Sequence, residues 1–367
     1  MLYKSIIRPL LFRKDPEESH ETILRLLARL EFLYGTLEDF YKVEDPRLEV
    51  KIGPLTFANP VGLAGGFDKN ASAPKMISSF GFGFMELGAI TAQAQPGNPK
   101  PRLYRLPEDC ALINRLGFNN EGAEAIAAKL ERLRARGGLP KIPLGMNIGR
   151  TKIVETKNAV ADFLVCFEKL FPCGDFFTLN VSSPNTPNLR ELQEKTLLRE
   201  LLSAVQEKNH LLAGRAKIDP KAVFVKISPD LEFSQVDEII EVVDQAKLTG
   251  IVATNATAFK REGLKSPNGG QPGGLSGRPI AALVTNFIAH IYQIARGRLA
   301  IIGVGGIFDA PDAYEKIKAG ANAVQIYTGW VYEGPGAVKR INKGLLRLLE
   351  RDGLKHISEA VGRSVRI

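Results

Sequence analysis

Between Phe177 and Asn188 an apolar strand-like run turns abruptly into amides, hydroxyls and prolines: Phe-Thr-Leu-Asn-Val-Ser-Ser-Pro-Asn-Thr-Pro-Asn. The prolines fix backbone angles, and Asn180, Asn185, Asn188, Ser182 and Ser183 offer donors and acceptors that can hold a polar ligand in one orientation. Ordinary surface turns use the same residue types, so this stretch does not decide its own role. Lys226 closes the apolar run Val223-Phe224-Val225-Lys226-Ile227, where an ammonium must meet an anion or lower its pKa. A ligand anion or a buried ion pair would each serve. Lys69 follows Asp68, so a local ion pair competes with a ligand role there. Asn147 and Asn180 end otherwise apolar strands and are too costly to bury unpaired, which points to a planar hydrogen-bonding ligand. Ser183 has no histidine in any strand-end loop and no GxSxG elbow surrounds it, which argues against a hydrolytic triad. As a base it needs help from its surroundings; otherwise it positions a substrate.

Composition narrows the classes. The chain has 367 residues, 44% of them hydrophobic, a net charge of +9 and a pI near 9.3. That balance suits an anionic ligand, an anionic membrane surface or nucleic acid, or is merely a basic surface. No basic patch is interleaved with aromatics for stacking bases, so nucleic acid is disfavoured. Cys110, Cys166 and Cys173 form no metal-spaced set with His20, His210, His290 and His356, and three cysteines make no disulfide framework. No metal is expected, and a reducing cytoplasm fits.

The elements that must position these residues follow a strand and helix rhythm. Short apolar strands are expected at Val61–Leu63, Phe84–Leu87, Leu144–Ile148, Phe176–Asn180, Val223–Ile227, Ile251–Thr254, Ala300–Val304 and Ala323–Ile326, separated by amphipathic stretches such as Ala123–Arg136 and Leu197–Leu212. Eight such units predict an α/β fold, a (β/α)8 TIM barrel with its site at the strand C-terminal ends; a doubly wound sheet is the alternative. Polar and glycine-rich residues do follow the strands: Ala64 to Asn70, Gly88 to Thr91, Thr254 to Thr257, Gly303 to Gly306 and Tyr327 to Gly329. Glycines after the seventh strand and Tyr327-Thr328 after the eighth match a common phosphate site, with Gly274 to Gly277 as another close-approach loop.

Before the barrel, a small hairpin is expected at Leu48 to Phe57, turning at Gly53-Pro54. From Met1 to about Tyr34 two short helices are expected. Tyr3, Ile6, Ile7, Leu10 and Leu11 share one face, with Pro9 bending or restarting the turn. Asp15-Pro16-Glu17-Glu18 reads as a capping box for a second helix with Ile23, Leu24, Leu27 and Leu30 on its apolar face and Gly35 at its end. Lys4, Arg8, Arg13 and Lys14 make this end basic as well as amphipathic, which suits a membrane surface, although packing on the domain is the plainer alternative. No run is long and apolar enough to span a bilayer, and no signal peptide pattern is present.

Six motifs in order carry a resemblance: Ala64-Gly65-Gly66-Phe67-Asp68-Lys69, Gly97-Asn98-Pro99-Lys100-Pro101-Arg102, Ile113-Asn114-Arg115-Leu116-Gly117-Phe118-Asn119-Asn120, Asn180-Val181-Ser182-Ser183-Pro184-Asn185-Thr186, Gly273-Gly274-Leu275-Ser276-Gly277 and Ile302-Gly303-Val304-Gly305-Gly306. Over essentially its whole length the chain resembles the class 2, quinone-dependent dihydroorotate dehydrogenases of pyrimidine biosynthesis. The resemblance implies one FMN per chain, its phosphate held by Gly277, Gly306, Tyr327 and Thr328, with Ala64, Gly65, Ala89, Asn147, Asn180, Lys226 and Thr254 around the rest. It implies that Lys69, Asn114, Asn185 and Asn255 clamp dihydroorotate or orotate, with Arg115, Leu116, Gly117, Phe118, Asn180 and Ala256 beside them. Ser183 would take the C5 proton while hydride leaves C6 for the flavin, which a membrane quinone then reoxidises. Class 1 relatives carry cysteine at the position of Ser183 and lack the N-terminal extension.

The resemblance also implies two units, 1–40 as a membrane and quinone-tunnel extension and 41–367 as the barrel. His20, Arg105 and Tyr327 match positions near the quinone head. A monomer is expected, peripheral on the cytoplasmic side of a bacterial inner membrane. Ala256 and Ala89 depart from the commoner pattern, which has hydroxyl residues at both places, so those side-chain hydrogen bonds are absent. The alternatives are an FMN barrel oxidoreductase acting on another dihydropyrimidine and a catalytically silent barrel that docks on membranes.

Overall fold

The computed structural model describes residues 2–366. Eight parallel strands close into a barrel in chain order: β1 (Val61–Asp68), β2 (Phe84–Ile90), β3 (Leu144–Ile148), β4 (Phe176–Asn180), β5 (Ala222–Ile227), β6 (Gly250–Ala253), β7 (Ala300–Val304) and β8 (Ala323–Ile326). Closure of β8 onto β1, with Val324 opposite Val61, rules out the doubly wound sheet. Helices including Ala123–Ala135, Ala159–Leu170, Lys195–Ala216, Phe233–Gln245 and Ala281–Ala295 follow the strands, as the expected amphipathic stretches required.

The barrel interior changes character along its axis. At the N-terminal end small and large residues alternate across neighbouring strands: Gly62 pairs with Phe84, and Gly145 with Phe176. A Cβ on Gly62 would lie 2.4 Å from the Phe84 ring, and one on Gly145 would lie 2.2 Å from the Phe176 ring. Phe57, on the hairpin Val50–Ile52 and Leu55–Phe57, stacks on Phe84 at 4.2 Å and plugs this floor. Phe57, Phe84, Phe176 and Phe224 are fully buried, each contributing roughly 1.5–3 kcal/mol of apolar transfer. Two residues further along each strand, where the period of two returns side chains to the interior, stand Glu86, Asn147, Thr178 and Lys226. The floor is thus aromatic and the upper layer polar.

A three-stranded antiparallel sheet lies over the mouth: Leu103–Leu106 pairs with Ala111–Asn114, whose other edge takes Gly274–Gly277. The last segment reads as a loop from sequence but is a strand, with Gly274 opposite Asn114 and Gly277 opposite Ala111.

The N-terminal extension holds a helical run at Tyr3–Ile7 and Arg8–Phe12, a long helix at Pro16–Arg29 and a further helix at Tyr34–Tyr41. Pro9 stands where the π-helical turn Tyr3–Ile7 gives way to α geometry, and the run continues through it without a break. Asp15 caps the long helix, its Oδ1 accepting from Glu17 N at 2.9 Å and Glu18 N at 3.0 Å. Gly35 does not end that helix: the chain leaves helical geometry at Leu30, and Gly35 is the second residue of the next helix, without left-handed backbone. Leu24 is buried and Leu27 and Leu30 pack on the core. Tyr3 Oη donates to Val331 O at 2.6 Å and Arg8 to Tyr332 O at 3.0 Å, tying the first helix to the barrel's C-terminal rim.

Candidate active site

A cavity opens at the C-terminal ends of the strands. It is reached by Ala64, Gly65, Gly66 and Lys69 after β1, Ala89 on β2, Asn180 on β4, Lys226 on β5, Thr254, Asn255 and Ala256 after β6, Gly305 and Gly306 after β7, and Gln325, Tyr327 and Thr328 around β8. The covering sheet contributes Asn114, Ser276 and Gly277, and the turn after β4 contributes Ser183 and Asn185. Two lysines line this space and, among the described residues, no carboxylate does. Its field therefore favours anions.

Beneath it lies a hydrogen-bonded layer organised by Glu86, which is fully buried. Its Oε2 accepts from Asn147 Nδ2 at 2.8 Å, and its Oε1 from Thr178 Oγ1 at 2.9 Å and Gln325 Nε2 at 2.7 Å. Asn180 Nδ2 donates to Asn147 Oδ1 at 3.0 Å, and Asn255 Nδ2 donates to Asn180 Oδ1 at 3.3 Å and Ser182 Oγ at 3.0 Å. Each amide is oriented by the one below it, so the chain of bonds starting at Glu86 fixes which way the cavity amides face. Lys226 is buried beside this layer; burial lowers its pKa and the Glu86 carboxylate opposes that shift. Among the described residues none hydrogen-bonds its ammonium, which leaves three donors for a ligand.

At the opposite edge, Gly305 (φ 131°) and Gly306 (φ 73°) hold left-handed backbone. A Cβ on Gly306 would come within 2.4 Å of Ala281, so only glycine lets this loop lie against the first turn of Ala281–Ala295. Ser276 Oγ and Thr328 Oγ1 share a hydrogen bond of 2.8 Å beside it. Backbone N–H groups, two hydroxyls and no acid make this edge fit a phosphate.

Asn185 and Asn114 meet directly, Asn185 Nδ2 donating to Asn114 O at 3.1 Å and Oδ1 at 3.2 Å. Ser183 is buried, and its Oγ accepts from Asn185 N at 3.3 Å. Burial brings Lys69 down to about 8, with Arg102 adding to the shift and Glu17, Asp68 and Glu21 opposing it.

A second cavity, apolar, runs between the N-terminal helices and the barrel rim, lined by Ile7, Leu11, Phe12, His20, Ile23, Leu27, Phe67, Arg105 and Trp330 among others. Leu103, Leu112 and Tyr327 line both cavities and form the wall between them.

Residues 47–349 match the family described as dihydroorotate dehydrogenase. The chain is 48% identical over 98% of its length to the dihydroorotate dehydrogenase (quinone) of Gloeobacter violaceus, of which it covers 98%. The chain belongs to the dihydroorotate dehydrogenase family. It is also 47% identical to the dihydroorotate dehydrogenase (quinone) of Christiangramia forsetii, over 94% of this chain and 99% of that one. Among solved structures, DHODH from Eimeria tenella in complex with ferulenol superposes with a TM-score of 0.87 at 37% identity, covering 95% of this chain and 96% of that chain.

Against that family background, most of the residues singled out from the sequence line the first cavity: Ala64, Gly65, Lys69, Ala89, Asn114, Leu116, Gly117, Phe118, Asn180, Ser183, Asn185, Lys226, Thr254, Asn255, Ala256, Gly277, Gly306, Tyr327 and Thr328. Two stand apart. Asn147 lies one layer beneath, between Glu86 and Asn180, and Arg115 turns its guanidinium outward to Pro101 O at 2.8 Å and Gln271 at 3.3 Å. His20 and Arg105 belong to the apolar cavity. His20 Nε2 donates to Phe67 O at 2.7 Å, and burial drives its pKa down to about 4, so the ring is neutral. Ala256 N donates to Asn255 Oδ1 at 2.8 Å, a backbone contact that needs no hydroxyl side chain. Sequence reasoning missed Glu86 and Gln325. The signal was present in each case, a polar side chain in the middle of an apolar strand, the feature that drew attention to Lys226.

Proposed function

We propose that this dihydroorotate dehydrogenase works through two compartments, oxidising dihydroorotate to orotate on FMN in the polar cavity and delivering the electrons to a quinone in the apolar one. The observation that carries this reading is their contiguity across the thin wall of Leu103, Leu112 and Tyr327. FMN, when bound, takes up the hydride equivalent from the substrate and releases electrons to the acceptor. The residues fit it: Gly277, Gly306, Ser276 and Thr328 offer donors to the phosphate, while Lys226 and the amides above Glu86 offer charge and hydrogen bonds to the ring system.

For the substrate, Asn114, Asn185 and Asn255 supply alternating donors and acceptors to the pyrimidine ring, and Lys69 balances the carboxylate. Ser183 takes the C5 proton. Its Oγ is oriented by Asn185 N–H, and Lys69 and Lys226 lining the same cavity lower the penalty of negative charge developing there. With the Lys69 ammonium at about 8 in the free protein, anion binding is complete below that pH and weakens as pH rises through it. The dissociation constant for dihydroorotate is therefore expected to climb about tenfold per pH unit above roughly 8, and Lys69→Gln to remove that dependence while weakening binding at neutral pH. Flavin reduction followed against substrate concentration at several pH values reads both effects.

The N-terminal face supports membrane contact. Leu2, Ile6, Leu10, Leu26 and Phe32 are exposed, with Lys4, Arg13, Lys14, Arg25 and Arg29 exposed among them. Among the described residues no helix is long and apolar enough to cross a membrane. The exposed face supports residues 1–40 as a peripheral anchor and tunnel wall beside the barrel of 41–367, with the helix Tyr34–Tyr41 running across that boundary; the cytoplasmic face of an inner membrane is the place we propose for it. One chain lines both cavities, which supports a monomer as the working unit. Anaerobic titration with dihydroorotate is expected to bleach the flavin, and a quinone to restore its colour. Recovery with NAD⁺ in place of quinone would overturn the acceptor, and failure to bleach would overturn the substrate.

A further inference from the structure

An acid in the first turn of a helix ordinarily faces water, yet Glu17 of Pro16–Arg29 is 5% exposed and its partner Arg102 is 6% exposed. Arg102 Nε and Nη2 donate to the Glu17 carboxylate at 2.7 to 3.1 Å. The remaining nitrogen, Nη1, donates to the carbonyls of Pro96 and Asn98, each at 2.7 Å. Asn98 Nδ2 then donates to Arg115 O at 2.9 Å and Asn185 O at 3.2 Å. The loop has no slack between these bonds: a Cβ on Gly97 would strike Leu116 O at 2.3 Å and Arg102 Nη1 at 2.7 Å. Every nitrogen of the guanidinium is committed, so removing the carboxylate leaves a buried cation whose best relief is to move, taking the loop with it.

We infer that the Glu17–Arg102 pair couples the two compartments, docking of the tunnel helix setting the position of Asn98 and through it Asn185 in the substrate clamp. Glu17 is then a positioning residue for a substrate it never touches. The inference rests on the substrate assignment above. A second line of contact runs through charge. Lys69 is faced by Glu17 and Glu21 from the helix, by Arg102 from the loop and by its neighbour Asp68, and it acts in turn on His20. The acids hold the Lys69 ammonium in its charged form and Arg102 opposes them, so neutralising Glu17 leaves Arg102 uncompensated. Coupling is reciprocal: if helix docking orders the clamp, a ligand in the clamp must tighten helix docking.

The test uses the full-length, flavin-loaded protein. In anaerobic stopped flow, Glu17→Gln is expected to raise the dissociation constant for dihydroorotate about five- to tenfold, with little change in the limiting rate of flavin reduction. Its alkaline loss of binding should begin at lower pH than in the unmodified protein. Orotate should slow amide exchange across 16–29 in the unmodified protein and not in the variant. Glu17→Asp, which keeps the charge on a shorter arm, should raise the dissociation constant while leaving the alkaline limb in place. Leu24→Ala removes apolar packing from the same helix without touching the pair, and is expected to lower Tm, to weaken dihydroorotate binding clearly less than Glu17→Gln does, and to leave the alkaline limb in place. Unchanged binding and pH limb in Glu17→Gln, or an equal loss of binding in Leu24→Ala, would overturn the coupling. Failure of dihydroorotate to bleach the unmodified protein would instead strike the substrate assignment.

Discussion

Ser183→Ala is expected to keep its flavin and lose about 10²–10⁴-fold in the rate at which dihydroorotate reduces it, the range associated with a positioned general base. Flavin retention follows from the geometry, because the Glu86 layer, Lys226 and the glycine edge do not depend on the Ser183 hydroxyl. Loss of rate follows because the polar side chains that line the cavity are amides, hydroxyls and two lysines, with no carboxylate or histidine among the described residues, and Lys69, at about 8, is mostly an ammonium at neutral pH, assigned in the proposed binding mode to the substrate carboxylate. The residue has no histidine to activate it, so its basicity rests on its electrostatic surroundings. Burial alone would oppose an alkoxide, whereas the two ammonium groups favour one. Ser183→Cys should therefore recover part of the lost rate, since a thiol ionises more easily than a hydroxyl in the same field. Single-turnover reduction rates for both variants measure this, and a rate in Ser183→Ala equal to that of the unmodified protein removes Ser183 from the chemistry.

Glu86→Ala is expected to be the most damaging single change in the barrel. Asn147 Nδ2, Thr178 Oγ1 and Gln325 Nε2 all donate to this one carboxylate, and the Lys226 ammonium is held in its field. Each buried donor left without an acceptor costs about 1–3 kcal/mol, and the Lys226 ammonium loses the carboxylate field that opposes its desolvation. The terms overlap because the groups share one site, so a loss on the order of 4 kcal/mol in folding stability is the expected result. Flavin affinity should fall with it, since the amides of Asn147 and Asn180 are oriented from Glu86 upward. Glu86→Gln keeps one acceptor oxygen but presents an NH₂ where a donor already points, and should lie between. Thermal unfolding with and without added FMN separates the two consequences: lost stability in both conditions tests the packing layer, and a reduced upward shift on adding FMN tests the site. A Glu86→Ala protein that melts and binds flavin normally would show the layer to be dispensable.

The barrel could be read from sequence because its strands are buried on both faces and so appear as unbroken apolar runs, such as Val223 to Ile227, while the site residues sit at the strand ends where polarity returns. The covering sheet could not. Leu103–Leu106 and Gly274–Gly277 are only four residues long, the second carries two glycines, and their shared partner lies between them in space but far from Gly274 in the chain. Gly35 misled for a related reason: glycine is a common helix end, yet this helix ends at Leu30, where the backbone passes into a 3-10 turn over Glu31–Leu33 without a glycine or proline to announce it. Glu86 carries the mark that Lys226 carries, a charge inside an apolar run. One carboxylate in a strand reads as a solvent-facing residue until its strand is known to be enclosed, and then its burial requires the partners the structure supplies. Glu17 is the same lesson on a helix, where a favourable first-turn acid proves to belong to an inward pair.

Leu103, Leu112 and Tyr327 are each touched by both cavities, so the barrier between them is one side chain thick. A partition that thin sets an anion-favouring space and an apolar one within electron-tunnelling reach of each other. On the two-compartment proposal, substrate and acceptor exchange electrons from opposite faces of one wall and never have to share a solvent.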